Sequence, residues 1–287
     1  MSRLECHGVR VCHALVDRSD SLEFETMLFE EPVEGVGLVT LNRPERLNAI
    51  NLAMLDDFYA LFSRLERDEK VRVLVITGKG RAFCSGADLK ETRKGRHAET
   101  YYRDASTHLV YIQKRYAGVI SGMRNLPQPV IAAVHGHAAG GGMCLAMASD
   151  IIYADPTAAF TPSFANIGIS GGELGSSYFL PRLVGTARAS EILLTGRTVY
   201  AEEAGRIGLV SRVVEEGMAG EEAVKTAELL LAKSISGLRM TKEVIRYNLN
   251  APSLEAALEL ENRNQSICCF AGDFLAAVEA FRSRKKA

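Results

Sequence analysis

Two stretches of this chain repeat one arrangement. Residues 71–77 (VRVLVIT) and 129–134 (PVIAAV) are short apolar runs, β-branched or small, of the kind that forms strands buried on both faces. Each runs straight into glycine. The first is followed by Gly78-Lys79-Gly80 and then Phe83-Cys84-Ser85-Gly86-Ala87-Asp88; the second by His135-Gly136-His137-Ala138-Ala139-Gly140-Gly141-Gly142. Each turn leads on into a helical stretch, so each presents backbone N–H groups at a helix N-terminus, where the peptide dipoles favour negative charge. One such unit is common. Two on neighbouring parallel strands would aim two N–H groups at a single oxygen, the arrangement that stabilises an enolate or a tetrahedral oxyanion. Close packing of backbone, which glycine also permits, is the other reading of the same residues.

Other glycine chemistries fail on spacing. The segment from Gly136 to Gly142 is not GxGxxG, so no dinucleotide fingerprint is present. Gly78-Lys79-Gly80-Arg81 lacks the gap and the terminal Lys-Ser/Thr of a phosphate loop, and the sequence contains no HExxH.

The remaining pattern is α/β for two thirds of the chain and α for the rest. Residues 36–41 (VGLVTL) read as a strand ended by Asn42-Arg43-Pro44. Leu52, Leu55, Tyr59, Phe62 and Leu65 recur at helical spacing behind Asn51, a good N-cap. Further strands are expected over 150–154, 157–161 and 209–214, with helices after a second glycine cluster at 168–175 and three or four more over 219–287. The expected organisation is a loose extension over 1–22, an α/β core over 23–215 and a helical region over 216–287. A chain of 287 residues buries enough surface to need no staples.

Charge and cysteine usage narrow the function classes. With 34 basic and 35 acidic residues, no global positive field exists to hold nucleic acid. Six scattered cysteines without a CxxC point to a reducing cytoplasm rather than a disulfide framework. Cys6-His7 and Cys12-His13 fit no standard zinc spacing, and no metal site is expected. The first 20 residues lack the apolar run of a secretory signal, and no stretch reaches 18 apolar residues, so no membrane span is expected.

Five motifs in order then resemble the crotonase, or enoyl-CoA hydratase/isomerase, superfamily. They are Asn42-Arg43-Pro44 with Leu47-Asn48-Ala49; Ala82-Phe83-Cys84-Ser85-Gly86-Ala87-Asp88-Leu89; residues 129–136 running into Gly140-Gly141-Gly142; Leu193-Leu194-Thr195-Gly196; and Ala204 with Gly208-Leu209-Val210. The resemblance runs from about residue 22 to 285. It implies a spiral of ββα repeats, a C-terminal helical region that assembles trimers or hexamers, and acyl-CoA thioesters as substrates, with coenzyme A entering only as part of the substrate. Carried over by position, the oxyanion donors are the N–H groups of Ala87 and Gly141. The substrate cradle falls on Arg46, Leu47 and Ala49 and on Ser85, Asp88 and Leu89, with His137, Gly140, Cys144 and Phe164 about the acyl group. Arg46 also reads as a solvated surface cation, Asp88 as a first-turn helix charge, and His137 as a packed histidine.

The sequence departs from the superfamily where its hydratases carry two glutamates. Cys144 stands two residues after the triple glycine, and Phe164 stands four residues after Phe160. A thiol in an apolar helix is a poor general base, and phenylalanine is none. One acid remains nearby: Glu173, in Gly168-Ile-Ser-Gly-Gly-Glu-Leu-Gly175. Some dienoyl-CoA isomerases of the superfamily place an aspartate near this point. A carboxyl between glycine and apolar neighbours suits proton transfer near neutral pH; it also suits capping the helix expected from Gly175. The expectation is double-bond isomerisation with Glu173 as proton shuttle. Hydration with a single acid/base and non-catalytic acyl-CoA binding are the alternatives.

Overall fold

The computed structural model describes residues 23–94 and 103–284; the expected extension, with its Cys-His pairs, lies outside them. The strands among the described residues are β1 (Met27–Val33), β2 (Val36–Leu41), β3 (Val73–Gly78), β4 (Val130–Val134), β5 (His137–Ala139), β6 (Ile151–Ala154), β7 (Ala159–Thr161), β8 (Val199–Tyr200) and β9 (Arg212–Val213). Six of them form one sheet in the order β1-β2-β3-β4-β6-β9, and β5-β7-β8 form a second. Only β1 runs antiparallel in the larger sheet; β2 to β9 pair in parallel.

Parallel strands need cover on both faces, and the sequence supplies it. All five residues of β4 are buried, as are five of the six in β3. Leu74 and Ile76 of β3 face the main core, built on Leu55, Phe58, Leu61 and Phe62 of the helix Leu52–Leu65. Each such side chain contributes about 1.5–3 kcal/mol on burial. Val73 and Val75 face the other way, onto Ala223 and Ala227 of the helix Ala219–Leu231. Alanines four apart let that helix lie close against the sheet.

Several local expectations hold. The Asn51 side chain accepts from Met54 N–H at 2.9 Å and starts the helix Leu52–Leu65. Tyr59, by contrast, is 40% exposed, its hydroxyl on the Arg115 carbonyl, and Phe58 takes the buried place. Three strands lack a sequence signal. β1 carries Glu30, Glu31 and Pro32 and bulges between Glu30 and Val33; β5 and β8 are two or three residues long. The expected strand over 209–214 shrinks to Arg212–Val213, because the Leu209 and Val210 N–H groups are spent on Ala204 O in the turn that closes the helix Ala201–Ile207.

This topology places the two glycine turns together. β3 and β4 are parallel neighbours, so both turns leave the same, C-terminal, edge of the sheet, where open α/β sheets hold their ligands. Behind them Ala82 bridges Gly136 and Cys84 bridges Ala138. The fit is tight: a Cβ on Gly142 would lie 2.0 Å from the Cys84 carbonyl oxygen. Gly142→Ala is therefore expected to cost at least about 3 kcal/mol, whereas Gly220→Ala, in open space on a helix, is expected to be neutral or to stabilise by up to about 1 kcal/mol. Denaturant unfolding of the two variants beside the parent checks both.

Candidate active site

The first turn is held from three sides. Phe83 and Cys84 donate N–H to His135 O and His137 O at 2.9 and 3.0 Å, and Cys84 O accepts from Ala139 N. Ser85 N–H reaches Leu47 O at 3.0 Å. Ile50 then bridges Ala87 in parallel, through Ile50 N to Gly86 O (2.7 Å) and Asp88 N to Ile50 O (2.9 Å). Such a bridge uses the amides on either side of Ala87 and leaves its own N–H turned away. Ala87 is exposed, and its N–H takes no partner among the described residues.

The second turn ends at the helix Gly141–Ala148, all eight residues of which are buried. Gly140 precedes it with φ 50° and ψ −118° and offers no side-chain cap. A buried helix N-terminus with no cap has donors to spare, and the Gly141 N–H is the first of them. A Cβ on Gly86 would lie 3.3 Å from Gly141 N, so the two turns meet at these glycines. Around the meeting point stand Ile50, Leu174 and Phe164: a methyl on Gly141 would lie 3.2 Å from Ile50 Cδ1 and 3.5 Å from Leu174 Cδ1, and one on Gly140 would lie 3.6 Å from the Phe164 ring.

Glu173 lies in the loop between Gly168 and Gly175. Ser176 organises it: Oγ accepts from Glu173 N–H at 2.9 Å and donates to Gly171 O at 2.7 Å, while Ser176 N–H returns to Glu173 O. Leu174 (φ 47°) and Gly175 (φ 82°) are both left-handed, a strained conformation for leucine. The helix-cap reading of Glu173 is not what the structure has. Gly175 caps the helix Ser176–Val184 without side-chain help, and the Glu173 carboxylate instead accepts a hydrogen bond from Gln113 Nε2. The Cys144 thiol donates to Glu173 O at 3.5 Å. Burial pushes that thiol well above its ordinary pKa, with the Glu173 charge adding to it, so Cys144 stays protonated and is no base.

Asp88 and Arg43 are scaffold. Asp88 Oδ1 accepts from the Lys90 and Glu91 N–H groups and caps the helix Leu89–Lys94. Arg43 bonds Asp88 Oδ2 at 2.9 Å and the Ala49 carbonyl, stapling the Pro44–Ala49 segment to the first turn. Buried Asn48 adds a second staple, donating to Ala82 O and Lys79 O and accepting from Arg43 N–H. Burial pushes the Asp88 carboxyl up, but the Glu91 N–H and the Arg43 guanidinium outweigh it and hold the group below its ordinary value.

Of the remaining expected residues, Ala49 and Leu47 flank the staple, Ser85 and exposed Leu89 flank Ala87, and Arg46 is exposed at the end of the turn Pro44–Arg46. His137 is exposed rather than packed, while the next residue of β5, Ala138, is buried. Gln113, Leu174 and Ser176 carried no signal in the sequence. The structural roles of Arg43 and Asn48 lay inside a recognised motif. No cluster of three metal-ligating side chains occurs among the described residues, and none of their helices is long and apolar enough to cross a membrane.

A model of the family described as "Enoyl-CoA hydratase/isomerase" matches residues 31–287. The chain belongs to that family. It is 42% identical over 239 residues, 83% of each chain, to the "Probable enoyl-CoA hydratase echA12" of Mycobacterium bovis. It is 32% identical over 252 residues to the 1,2-epoxyphenylacetyl-CoA isomerase of Escherichia coli, covering 88% of this chain and 94% of the other. The crystal structure of an enoyl-CoA hydratase from Bacillus anthracis superposes with a TM-score of 0.84 at 29% identity, covering 91% and 97%. The chain thus has the crotonase fold of a family of enzymes, with Cys144 and Phe164 both buried.

The Asp88–Arg43 pair makes a pH prediction. A carboxyl with a lowered folded pKa adds stability that is present above its unfolded pKa, about 4, and is lost as pH falls through the folded value. Asp88→Asn should cost about 2–3 kcal/mol at pH 7, and the gap to the parent should close progressively below pH ~4. Urea unfolding at a series of pH values measures it.

Proposed function

We propose that this enzyme shifts a carbon–carbon double bond within an acyl-CoA thioester, through an enolate whose oxygen is held by the Ala87 and Gly141 N–H groups. The observation that carries the reading is the company Glu173 keeps. Its carboxylate is bonded to Gln113, its main-chain oxygen lies 3.5 Å from the Cys144 thiol, and the next residue, Leu174, lies against the uncapped helix start at Gly141, while Cys144 and Phe164 offer no second acid. Moving a double bond needs one base that takes a proton from the α-carbon and returns it to the γ-carbon. Adding water across the bond needs a water activated and a carbon protonated as well.

The step balances within the substrate. Glu173 takes the α-proton, the electron pair moves onto the thioester oxygen, and the same proton or a solvent-exchanged one returns at the far end of the conjugated system. Each oxyanion donor typically supplies about 3–4 kcal/mol of transition-state stabilisation. In this reading Arg46, Leu47, Ala49, Ser85 and Leu89 form the cradle for the CoA moiety, with Asp88 holding it in place from behind, and Phe164, Cys144 and Leu174 exclude water from the acyl group. The E. coli relative is named an isomerase of an epoxide rather than of an enoyl double bond, and supports only that relatives of this chain include isomerases of acyl-CoA esters. Hydration with Glu173 as sole acid/base is the second reading, favoured by the hydratase name of the mycobacterial relative.

A panel of saturated and unsaturated acyl-CoA esters incubated in D₂O and followed by mass spectrometry separates them. The wild type should place deuterium on carbon without adding water. Glu173→Gln should lose about 10²- to 10⁴-fold in rate while calorimetry shows ester binding within a few-fold of wild type. A mass gain of one water establishes the hydratase reading instead, and tight binding without exchange in either protein establishes a binder.

A further inference from the structure

Gln113 reaches Glu173 from an unusual piece of helix. Between the turn Ala105–His108 and the helix Lys114–Asn125, residues Leu109–Gln113 are wound as a π-helix. Such turns give up regular hydrogen-bond geometry and concentrate at functional sites. Here the wider turn sets Gln113, 60 residues away in sequence, against the Glu173 carboxylate. Among the described residues Gln113 is the one group that hydrogen-bonds that carboxylate, and no cation pairs with it.

Both ends of this contact are fixed. On the Glu173 side the main chain is locked by Ser176 and by the left-handed Leu174 and Gly175. On the other side Ile112 is buried, and the Tyr116 hydroxyl, one turn beyond Gln113, donates to Ile50 O at 2.9 Å. Ile50 O also accepts from Asp88 N–H and so belongs to the bridge that orients Ala87. One helix therefore touches both the carboxylate and the segment that carries a proposed oxyanion donor.

We infer that Gln113 is the positioning residue for proton transfer by Glu173, tying Oε1 and leaving Oε2 to face the substrate carbon; this rests on Glu173 being the proton carrier. A neutral amide suits a shuttle. An arginine or lysine in its place would hold the carboxylate as an anion and oppose return of the proton, whereas a neutral amide orients the group without setting a charge beside it. The first step then starts from ionised Glu173: the C–H bond breaks, its proton goes to Oε2, and its electron pair passes to the thioester oxygen. Protonation of the γ-carbon restores the carboxylate. No electron leaves the substrate.

The test uses Gln113→Met, which keeps length and loses the donor, Gln113→Glu, which sets a second carboxyl against the first, and Glu173→Gln as reference. Activity is read on trans-3-hexenoyl-CoA by appearance of the conjugated thioester, across pH. Gln113→Met should lower kcat about 10- to 100-fold with KM within about twofold and with melting temperature close to wild type. Its acidic limb should move to higher pH, and that of Gln113→Glu further still, because the donor that favours the carboxylate is gone or replaced by a like charge. Cys144, the titratable side chain packed against this loop, stays protonated through that range. In parallel, ¹³C-carboxyl NMR of glutamate-labelled protein follows the resonance lost in Glu173→Gln; its titration should move up in Gln113→Met whether or not this ester turns over. A kcat within twofold of wild type, or an unmoved NMR titration, overturns the role of Gln113. Undiminished turnover by Glu173→Gln overturns the underlying reading of Glu173 instead.

Discussion

The backbone hydrogen bonds that zip residues 82–84 to 135–139 hold two glycine turns in van der Waals contact, and the site depends on that contact. The sheet brings β3 and β4 side by side, but parallel pairing alone leaves their outgoing turns free to diverge. The bridges Ala82 to Gly136 and Cys84 to Ala138 close them together. Glycine is then required by space rather than by flexibility alone: Cβ atoms on Gly86 and Gly142 would strike backbone oxygens at 2.7 and 2.0 Å. The result is a buried, uncapped helix N-terminus at Gly141 beside an unpaired amide at Ala87.

Charge has a subordinate part in this arrangement. Arg43, Asp88 and Asn48 are spent on holding the turns, and the cationic and acidic side chains nearest Ala87 satisfy each other. Around Gly140 and Gly141 stand apolar Ile50, Leu174 and Phe164, and Glu173 lies on the adjoining loop. In the proposed reaction two amide donors at about 3–4 kcal/mol each weigh at least as much as one general base worth 10²- to 10⁴-fold. In that proposal a chain with cysteine and phenylalanine at Cys144 and Phe164 would keep the two amide donors on which enolate chemistry depends most.

What the sequence discloses and what it hides follow from range. The β3 and β4 runs, the Asn51 cap and the glycine turns are local patterns, fixed by β-branching, capping and tight packing within a few residues, and each lies where its pattern points. β1 and β8 owe their strand state to a neighbour, β1 to β2 and β8 to β7; with charged residues and proline in one and two residues in the other, they carry no periodicity. The proposed role of Glu173 turns on a partner 60 residues away, delivered by a π-turn that no spacing rule announces. Asp88 reads as a first-turn charge and is one, because an acid at the start of a helix finds its N–H partners locally.

The most direct measurement is the crystal structure of Glu173→Gln with a bound acyl-CoA. Two amides converging on one oxygen require the thioester carbonyl oxygen within about 3 Å of both Ala87 N and Gly141 N, with the acyl chain running past Leu174 and Phe164. A carbonyl oxygen turned away from either amide, or held by a side chain instead, would contradict the account at its centre.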